Sequence, residues 1–289
     1  MKLSLQQWSL HRELFGESKK DYARWQHWLT TEPEKVLQGS LDPLDFPSVA
    51  RELGFEAVEY VNTFFYRKDD AYFHELKRHS ENAGVKNLLV MVDEEGFLGD
   101  PDAVARKESI QRHVRWLNVA SILGCRSIRV NAHSRGTKED QQKWATDGLA
   151  QLCDLAKPMG LDILIENHGG MSSNPHWLIQ TIEDTGKSNI GTMVDFGNFA
   201  YSENKIWDGE HEFDIYEGVS LLMPYAKAVS AKAFAFDESG NEENIDFDKM
   251  FQIIKKSNYT GYIGVEFEGE SLAERKGIKA TKRLVEKYL

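Results

Sequence analysis

Short apolar runs alternate with longer amphipathic segments from one end of the chain to the other. Near-continuous apolar runs of four to eight residues are typical of parallel strands that are covered on both faces. The pattern predicts eight such strands, at residues 2–8, 57–61, 87–92, 127–131, 162–166, 191–195, 228–234 and 262–267.

The segments between these runs predict amphipathic helices with recognisable ends. Asp42 and Pro43 begin one helix as N-cap and first helical residue. Further helices are predicted at residues 102–123, 137–159, 174–186, 245–256 and 271–289. The order helix, glycine, strand recurs at Gly54, Gly84, Gly124 and Gly160, which indicates short loops with a glycine just past each helix.

Eight strand and helix units without a linker or a shift in composition predict one closed (β/α)8 TIM barrel over residues 1–289. A doubly wound open sheet is the alternative. The first strand is not followed by a glycine-rich phosphate loop, which disfavours that alternative. Residues 201–212 form a long charged segment that we predict to be a lid or a solvated insertion.

The composition is that of a globular protein with a sizeable core, with 41% hydrophobic and 28% charged residues among 289. The net charge of -11 disfavours nucleic acid as a partner and suits a small neutral substrate. Cys125 and Cys153 have no metal or disulfide spacing, so we expect buried thiols in a cytoplasmic protein. No signal peptide or apolar run of about 20 residues is evident, so no membrane association is expected.

Three predicted strands end in a carboxylate: Glu166 on the fifth, Asp195 on the sixth and Glu266 on the eighth. Active sites of βα barrels lie at these strand ends, so the three acids should converge. Like charges in one cavity repel and need protons or a cation to coexist. A divalent metal held by oxygen ligands is the simplest answer. The alternative is that some of the acids cap loops or pair with Lys and Arg.

Other polar and aromatic side chains lie near the same strand ends. Lys232 on the seventh strand could neutralise the acids, bind a substrate oxygen or transfer a proton. His168 shares a strand face with Glu166 and is a second catalytic candidate. Trp8, with Phe64 or Phe65, could form an apolar wall against the carbon face of a sugar. The predicted substrate contacts are Trp8, Glu59, Arg129, Asn131, His133 and Asn198.

The segments LIENHGG, MVDFGN and IGVEFEG resemble the sugar phosphate isomerase/epimerase family of the xylose-isomerase-like TIM barrels, and the resemblance covers nearly the whole chain. In that family Glu, Asp, His and Glu from strands five to eight hold a metal. Glu166, Asp195 and Glu266 match three of these ligands. In the family pattern H-x-K-D on strand seven, Ser230 replaces the His and Lys232 is kept. Asn198 likewise replaces the His of the D-x-x-H segment after strand six.

The resemblance therefore implies a divalent metal (Mn, Mg, Co or Zn) on Glu166, Asp195 and Glu266, and no organic cofactor. Zinc loses its preferred nitrogen ligand unless His168 substitutes. The acidic charge and the missing histidines disfavour the DNA-cleaving branch of the superfamily.

The implied chemistry is proton transfer at a carbon next to a carbonyl in a keto-sugar. Glu166 and Glu266 would be the acid and base, and a metal, or Lys232 with His168, would stabilise the enolate. This predicts a sugar isomerase or epimerase, with a homo-oligomer expected from the family. The alternatives are a keto-sugar dehydratase or keto-glycoside lyase, a non-catalytic sugar-binding relative, a metal-dependent hydrolase, or a glycosidase using the same two carboxylates.

Overall fold

The computed structural model describes residues 1–207 and 209–289. The strands of this part of the chain are β1 (Lys2–Gln6), β2 (Ala57–Val61), β3 (Lys86–Met91), β4 (Ser127–Val130), β5 (Asp162–Glu166), β6 (Ile190–Asp195), β7 (Ala200–Tyr201), β8 (His211–Glu212), β9 (Ala226–Ala233) and β10 (Tyr262–Phe267).

Eight of these strands form a closed parallel barrel in the order β1, β2, β3, β4, β5, β6, β9, β10. The barrel closes where β10 pairs with β1, with Leu3 opposite Ile263. The predicted (β/α)8 barrel is confirmed, and the open-sheet alternative is wrong because no strand edge is left at this junction. Each predicted strand is present within two residues of its predicted ends, the seventh and eighth being β9 and β10.

Helices cover the outside of the barrel. They are α1 (His11–Phe15), α2 (Tyr22–Thr31), α3 (Phe46–Glu52), α4 (Asp70–Ala83), α5 (Ala103–Leu123), α6 (Lys138–Ala156), α7 (Pro175–Asp184), α8 (Ile215–Leu222), α9 (Phe247–Lys256) and α10 (Glu274–Glu286).

The helix ends follow the predicted signals. Asp102 caps α5 by accepting hydrogen bonds from the backbone N–H groups of Val104 and Ala105. Gly124 ends the same helix in the left-handed conformation, with a φ of 76°. The predicted helix that begins at Pro43 is a 3-10 turn followed by the short helix α3. The sequence pattern missed α1, α2 and α8, and it indicated α4 only through the glycine at its end, Gly84. The helix α2 buries only Trp25 and Leu29, which is too narrow a stripe to stand out.

Two insertions cover the C-terminal mouth of the barrel. One is α2, within the connection from β1 to β2. The other is the segment around the β7–β8 hairpin, whose Ile206 carbonyl accepts a hydrogen bond of 2.7 Å from the backbone N–H of Gly170. A side chain at Gly169 would meet that same carbonyl, so the segment packs closely on the loop after β5. Within the segment predicted to be a lid or a solvated insertion, Ile206 and Trp207 line the cavity at the mouth.

The strand side chains that point outward to the helices are apolar, whereas many of those that point inward to the barrel axis are polar. Cys125 and Cys153 are buried and unbonded to each other. None of the helices in the described part of the chain combines the length and apolar character that crossing a bilayer requires.

Candidate active site

A cavity of about 700 Å³ opens at the C-terminal ends of the barrel strands. It lies where βα barrels place their reactive groups. Nine of the residues predicted from the sequence line it: Trp8, Arg129, Asn131, His133, Glu166, His168, Asn198, Lys232 and Glu266.

Two predicted residues lie outside the lining. Asp195 is fully buried behind it, and its Oδ1 accepts hydrogen bonds from the backbone N–H groups of Gly197 (2.8 Å) and Asn198 (3.0 Å). Glu59 lies deeper in the barrel and accepts hydrogen bonds from Ser4 Oγ (2.5 Å) and Gln6 Nε2 (3.1 Å). Glu59, a predicted substrate contact, does not line the cavity, and both of its oxygens accept hydrogen bonds inside the barrel.

Lys232 is the centre of one cluster of charge. Its side chain is 5% exposed, and Nζ lies 3.5 Å from Glu268 Oε1, 3.8 Å from Asp195 Oδ2 and 3.9 Å from Glu266 Oε2. Nζ also donates a hydrogen bond of 3.4 Å to Asn198 Oδ1. Burial alone would lower the pKa of Lys232, but the surrounding carboxylates raise it well above its usual value. The side chain is therefore a buried ammonium.

Arg129 is the centre of a second cluster. Its Nη1 donates to Asp93 Oδ1 at 2.6 Å, and its Nε lies 2.8 Å from Glu166 Oε2. Burial opposes ionisation of Asp93, but Arg129 holds the pKa of this carboxyl well below its usual range. The sequence reading missed Asp93 and Glu268. Each lies two residues past a strand residue that faces the axis, so extending the period-two rule beyond the strand end would have found both.

Two carboxyl groups that line the cavity have raised pKa values. Burial raises the pKa of Glu166 to about 7, against the opposing effect of Arg129. Burial also raises the pKa of Glu266 well above its usual value, and Lys232 only partly offsets this. A carboxyl group with the pKa of Glu166 can both take up and release a proton near neutral pH, and the direction of the shift at Glu266 favours its protonated form.

Hydrogen bonds define which ring nitrogen of each histidine carries the proton. Asn131 Nδ2 donates to Asp93 Oδ1 at 2.8 Å, which leaves Asn131 Oδ1 facing His168 Nδ1 at 2.9 Å. An amide oxygen only accepts, so His168 Nδ1 is protonated and Nε2 is an acceptor when the ring is neutral. Burial lowers the pKa of His168 well below its usual value. His133 Nε2 lies 3.1 Å from the His168 carbonyl and is its donor.

Aromatic rings form two sides of the cavity. Trp8 lies on one side, with Lys19 Nζ 4.2 Å from its ring centroid. Trp207 lies on the other, with its ring centroid 4.8 Å from that of His168. The predicted wall at Trp8 is present, whereas Phe64 and Phe65 are buried outside the lining. Lys19 lies in a short 3-10 helix and Trp207 in a loop, both without periodic pattern, and no sequence signal pointed to them.

The donor set does not fit a divalent metal. Within residues 1–207 and 209–289, no three His, Cys, Asp or Glu side chains are arranged to hold an ion. Glu166 Oε2 and Asp195 Oδ2 lack a hydrogen-bond partner, as oxygens of a cation site would. Each of them, however, already faces a cationic side chain, Arg129 or Lys232. The predicted ligands therefore face protein cations.

Acid–base side chains around a cavity at the mouth of a closed βα barrel define an enzyme of the TIM-barrel class. The family model of the xylose isomerase-like TIM barrel matches residues 47–288, and the chain belongs to this family.

Similar proteins act on sugars and cyclitols. An inosose isomerase from Halalkalibacterium halodurans is 24% identical over 234 residues, covering 75% of this chain and 79% of that protein. A D-psicose 3-epimerase structure, determined with D-fructose present, has a TM-score of 0.72 at 14% identity, covering 100% of this chain and 99% of the other. The 3-keto-D-glucoside 4-epimerase of E. coli has a TM-score of 0.68 at 15% identity, covering 85% and 94%. At these identities the structures show the shared fold.

Proposed function

We propose that this protein is a keto-sugar isomerase or epimerase that transfers a proton at a carbon next to a carbonyl. The observation that carries the proposal is the pair of buried carboxyl groups, Glu166 and Glu266, which line one cavity with raised pKa values. The inosose isomerase and the sugar epimerases among similar proteins support the substrate class.

The charges around the cavity suit an enolate intermediate. Glu166 takes the proton from carbon, and the electrons of the C–H bond pass to the carbonyl oxygen. Lys232 donates a hydrogen bond to that oxygen and stabilises its negative charge. In epimerisation Glu266 returns a proton to the same carbon from the other face. In isomerisation it protonates the neighbouring carbon, while the hydroxyl proton on the first carbon passes to the former carbonyl oxygen. Each step conserves charge within the cavity.

His168 takes a different part from the predicted one. Because Nδ1 is engaged by Asn131, the cavity-facing nitrogen has no proton to give to an enolate. We propose that Nε2 accepts a hydrogen bond from a sugar hydroxyl. Trp8 and Trp207 supply apolar faces for the sugar ring on either side.

Solvent exchange tests the function directly. The protein is incubated in D2O with ketohexoses, ketopentoses and inososes, and deuterium at the carbon next to the carbonyl is followed by NMR. We expect exchange with at least one of these sugars, with or without conversion to product. Absence of exchange across the set, with tight sugar binding, would indicate a non-catalytic sugar binder.

A lyase is the second candidate, because the cavity has room beyond a single sugar ring. Its volume of about 700 Å³ is in the range of sites for larger ligands, and it extends from Trp8 to Trp207. Loss of a β-substituent from the same enolate would yield an unsaturated ketone, as in a dehydratase or keto-glycoside lyase. Ultraviolet absorption of that product during the exchange assay distinguishes the two reactions.

We also propose a cellular location and an oligomeric state for the protein. The buried free thiols of Cys125 and Cys153 support a cytoplasmic location. The family resemblance supports a homo-oligomer, which sedimentation would test.

A further inference from the structure

A second cavity lies beside the first, between the loop that follows β4 and the segment around the β7–β8 hairpin. Its volume is about 590 Å³, within the range of sites that hold small molecules. Four residues line both cavities: Phe97, His133, Ile206 and Trp207. A ligand that is longer than one sugar ring and extends past these residues from the first cavity therefore enters the second.

Hydrogen bonds within the protein fix the walls of the second cavity. Gln141 is buried, and its Nε2 donates to the backbone carbonyls of Gly136 at 2.9 Å and Glu203 at 2.7 Å. These two bonds tie the loop after β4 to the hairpin segment. The carbonyl of Ile206 accepts in turn from the backbone N–H of Gly170. The cavity is thus formed before any ligand binds, and binding does not have to order its loops.

Aromatic rings form the junction between the two cavities. The ring of His133 lies next to those of Phe97 and Trp207, with centroid distances of 5.7 and 6.3 Å. Trp207 is 53% exposed, so its ring offers an apolar face to a ligand. Because His133 Nε2 donates to the His168 carbonyl, Nδ1 of the neutral ring is an acceptor for a hydroxyl group. Ring faces beside a hydrogen-bond acceptor suit a sugar at this junction.

The polar groups of the second cavity suit a neutral ligand with hydroxyl groups. Side chains of both signs line it, namely Arg135, Lys205 and Glu203. Lys205 Nζ already faces Glu210 Oε1 at 3.5 Å, which balances its charge. The exposed side chains of Arg135 and Asn204 provide N–H donors for sugar hydroxyls.

We propose that the second cavity is a subsite for a neutral sugar ring, joined by a glycosidic bond to the ring that reacts. The substrate is then a keto-disaccharide, with its keto-sugar unit beside Glu166 and Glu266 and its second unit against Trp207. The chemistry at the first unit rests on the proposed isomerase or epimerase function, whereas occupation of the subsite does not. A free ketose fills only the first cavity and forgoes the contacts of the second.

Titration calorimetry with sugars of one and two rings tests the subsite. D-Fructose is compared with disaccharides that carry a fructose unit in different linkages: turanose, maltulose, lactulose and isomaltulose. For the wild type we expect at least one disaccharide to bind at least about tenfold more tightly than D-fructose, which corresponds to one or two net hydrogen bonds.

Two variants locate the gain in the second cavity. Asn204→Trp fills the cavity with an indole, and Arg135→Ala removes a donor from its rim. Each should weaken binding of the preferred disaccharide at least about fivefold, with less than about twofold change for D-fructose. Both side chains are exposed, so the fold should tolerate the changes. Arg51→Ala, at an exposed position of α3 outside both cavities, is the matched control and should change neither affinity.

The proposal is overturned if none of the disaccharides binds about tenfold more tightly than D-fructose, or if that gain persists in both Asn204→Trp and Arg135→Ala. A gain that both variants reduce supports the subsite even if no sugar exchanges deuterium, in which case only the isomerase function fails. Exchange in a free ketose without any gain from a second ring would retain the function and remove the subsite.

Discussion

Glu59 and Glu166 are two buried glutamates in one barrel, each with a pKa raised by burial to about 7. Their neighbours differ. Glu59 is satisfied by two neutral donors, Ser4 and Gln6, and does not reach the cavity. Glu166 faces the guanidinium of Arg129 and lines the cavity.

The comparison shows that a perturbed pKa does not by itself mark a catalytic group. Burial produces the same direction of shift in the barrel interior and at its mouth. Access to a cavity and a cation that stabilises the charged form distinguish the site. The two regions are nevertheless linked, since Gln6 bonds Glu59 and lies 3.2 Å from Ser230, whose hydroxyl donates to Glu266.

The largest expected difference between Glu166 and Glu59 is in the rate of deuterium exchange after each is replaced by glutamine. Glu166→Gln removes the proposed base, and we expect deuterium exchange into the sugar to slow by about 10³-fold. Glu59→Gln, the matched variant, should change the exchange rate less than about threefold, because it touches nothing in the cavity. Comparable losses in both variants, with both folded by circular dichroism, would show that the interior glutamate takes part in the reaction.

The second prediction concerns Glu59, whose ionisation should make the stability of the fold depend on pH. The pKa of Glu59 is raised from 4.5 to about 7 on folding, so its neutral form is favoured in the folded state. Its contribution to stability is complete below pH 4.5 and is lost as pH rises through 7. Ionisation should cost about 3 kcal/mol by pH 8, at about 1.4 kcal/mol per pKa unit.

Urea unfolding at pH 5 and pH 8 measures this cost. Glu59→Gln removes the ionisable group at this position. Its free energy of unfolding, relative to that of the wild type, should therefore be higher at pH 8 than at pH 5. Glu108→Gln, at a largely exposed helix position, is the control and should show no such change. An equal pH dependence in wild type and Glu59→Gln would mean that Glu59 is ionised throughout.

Glu59 and Glu166 also show which features of the protein could be predicted from the sequence. Strand periodicity and the glycines after helices are local signals, so the barrel and the convergence of Glu166, Asp195 and Glu266 at its mouth followed from them. The depth of a side chain along the barrel axis is not local. Glu59 pairs with Gln6 in register, and a register shift between Val58 and Glu59 sets its height.

Among the side chains beyond the strand ends, those that continue the period-two alternation could have been predicted, whereas those on the insertions could not. Asp93 and Glu268 turn toward the axis only because the loops after β3 and β10 continue the direction of the strands. Lys19 and Trp207 reach the cavity from insertions that pack across the mouth. Such contacts depend on tertiary packing, and the sequence pattern of a loop does not encode them.

The smallest effect is expected at His168, beside the proposed base Glu166. It tests whether hydrogen bonds at the mouth of the barrel pre-organise the site, in contrast to those around Glu59 in the interior. In the wild type, ¹⁵N NMR should find His168 neutral at pH 7 with its proton on Nδ1, because Asn131 Oδ1 accepts from it. Asn131→Leu removes that acceptor, so the proton should move largely to Nε2 and turnover should fall about tenfold, near the effect of one neutral hydrogen bond. His133, held by the His168 carbonyl, should keep its own tautomer and is the internal control. A wild-type signal with the proton on Nε2 would instead make His168 a donor to the substrate and restore it as an oxyanion stabiliser.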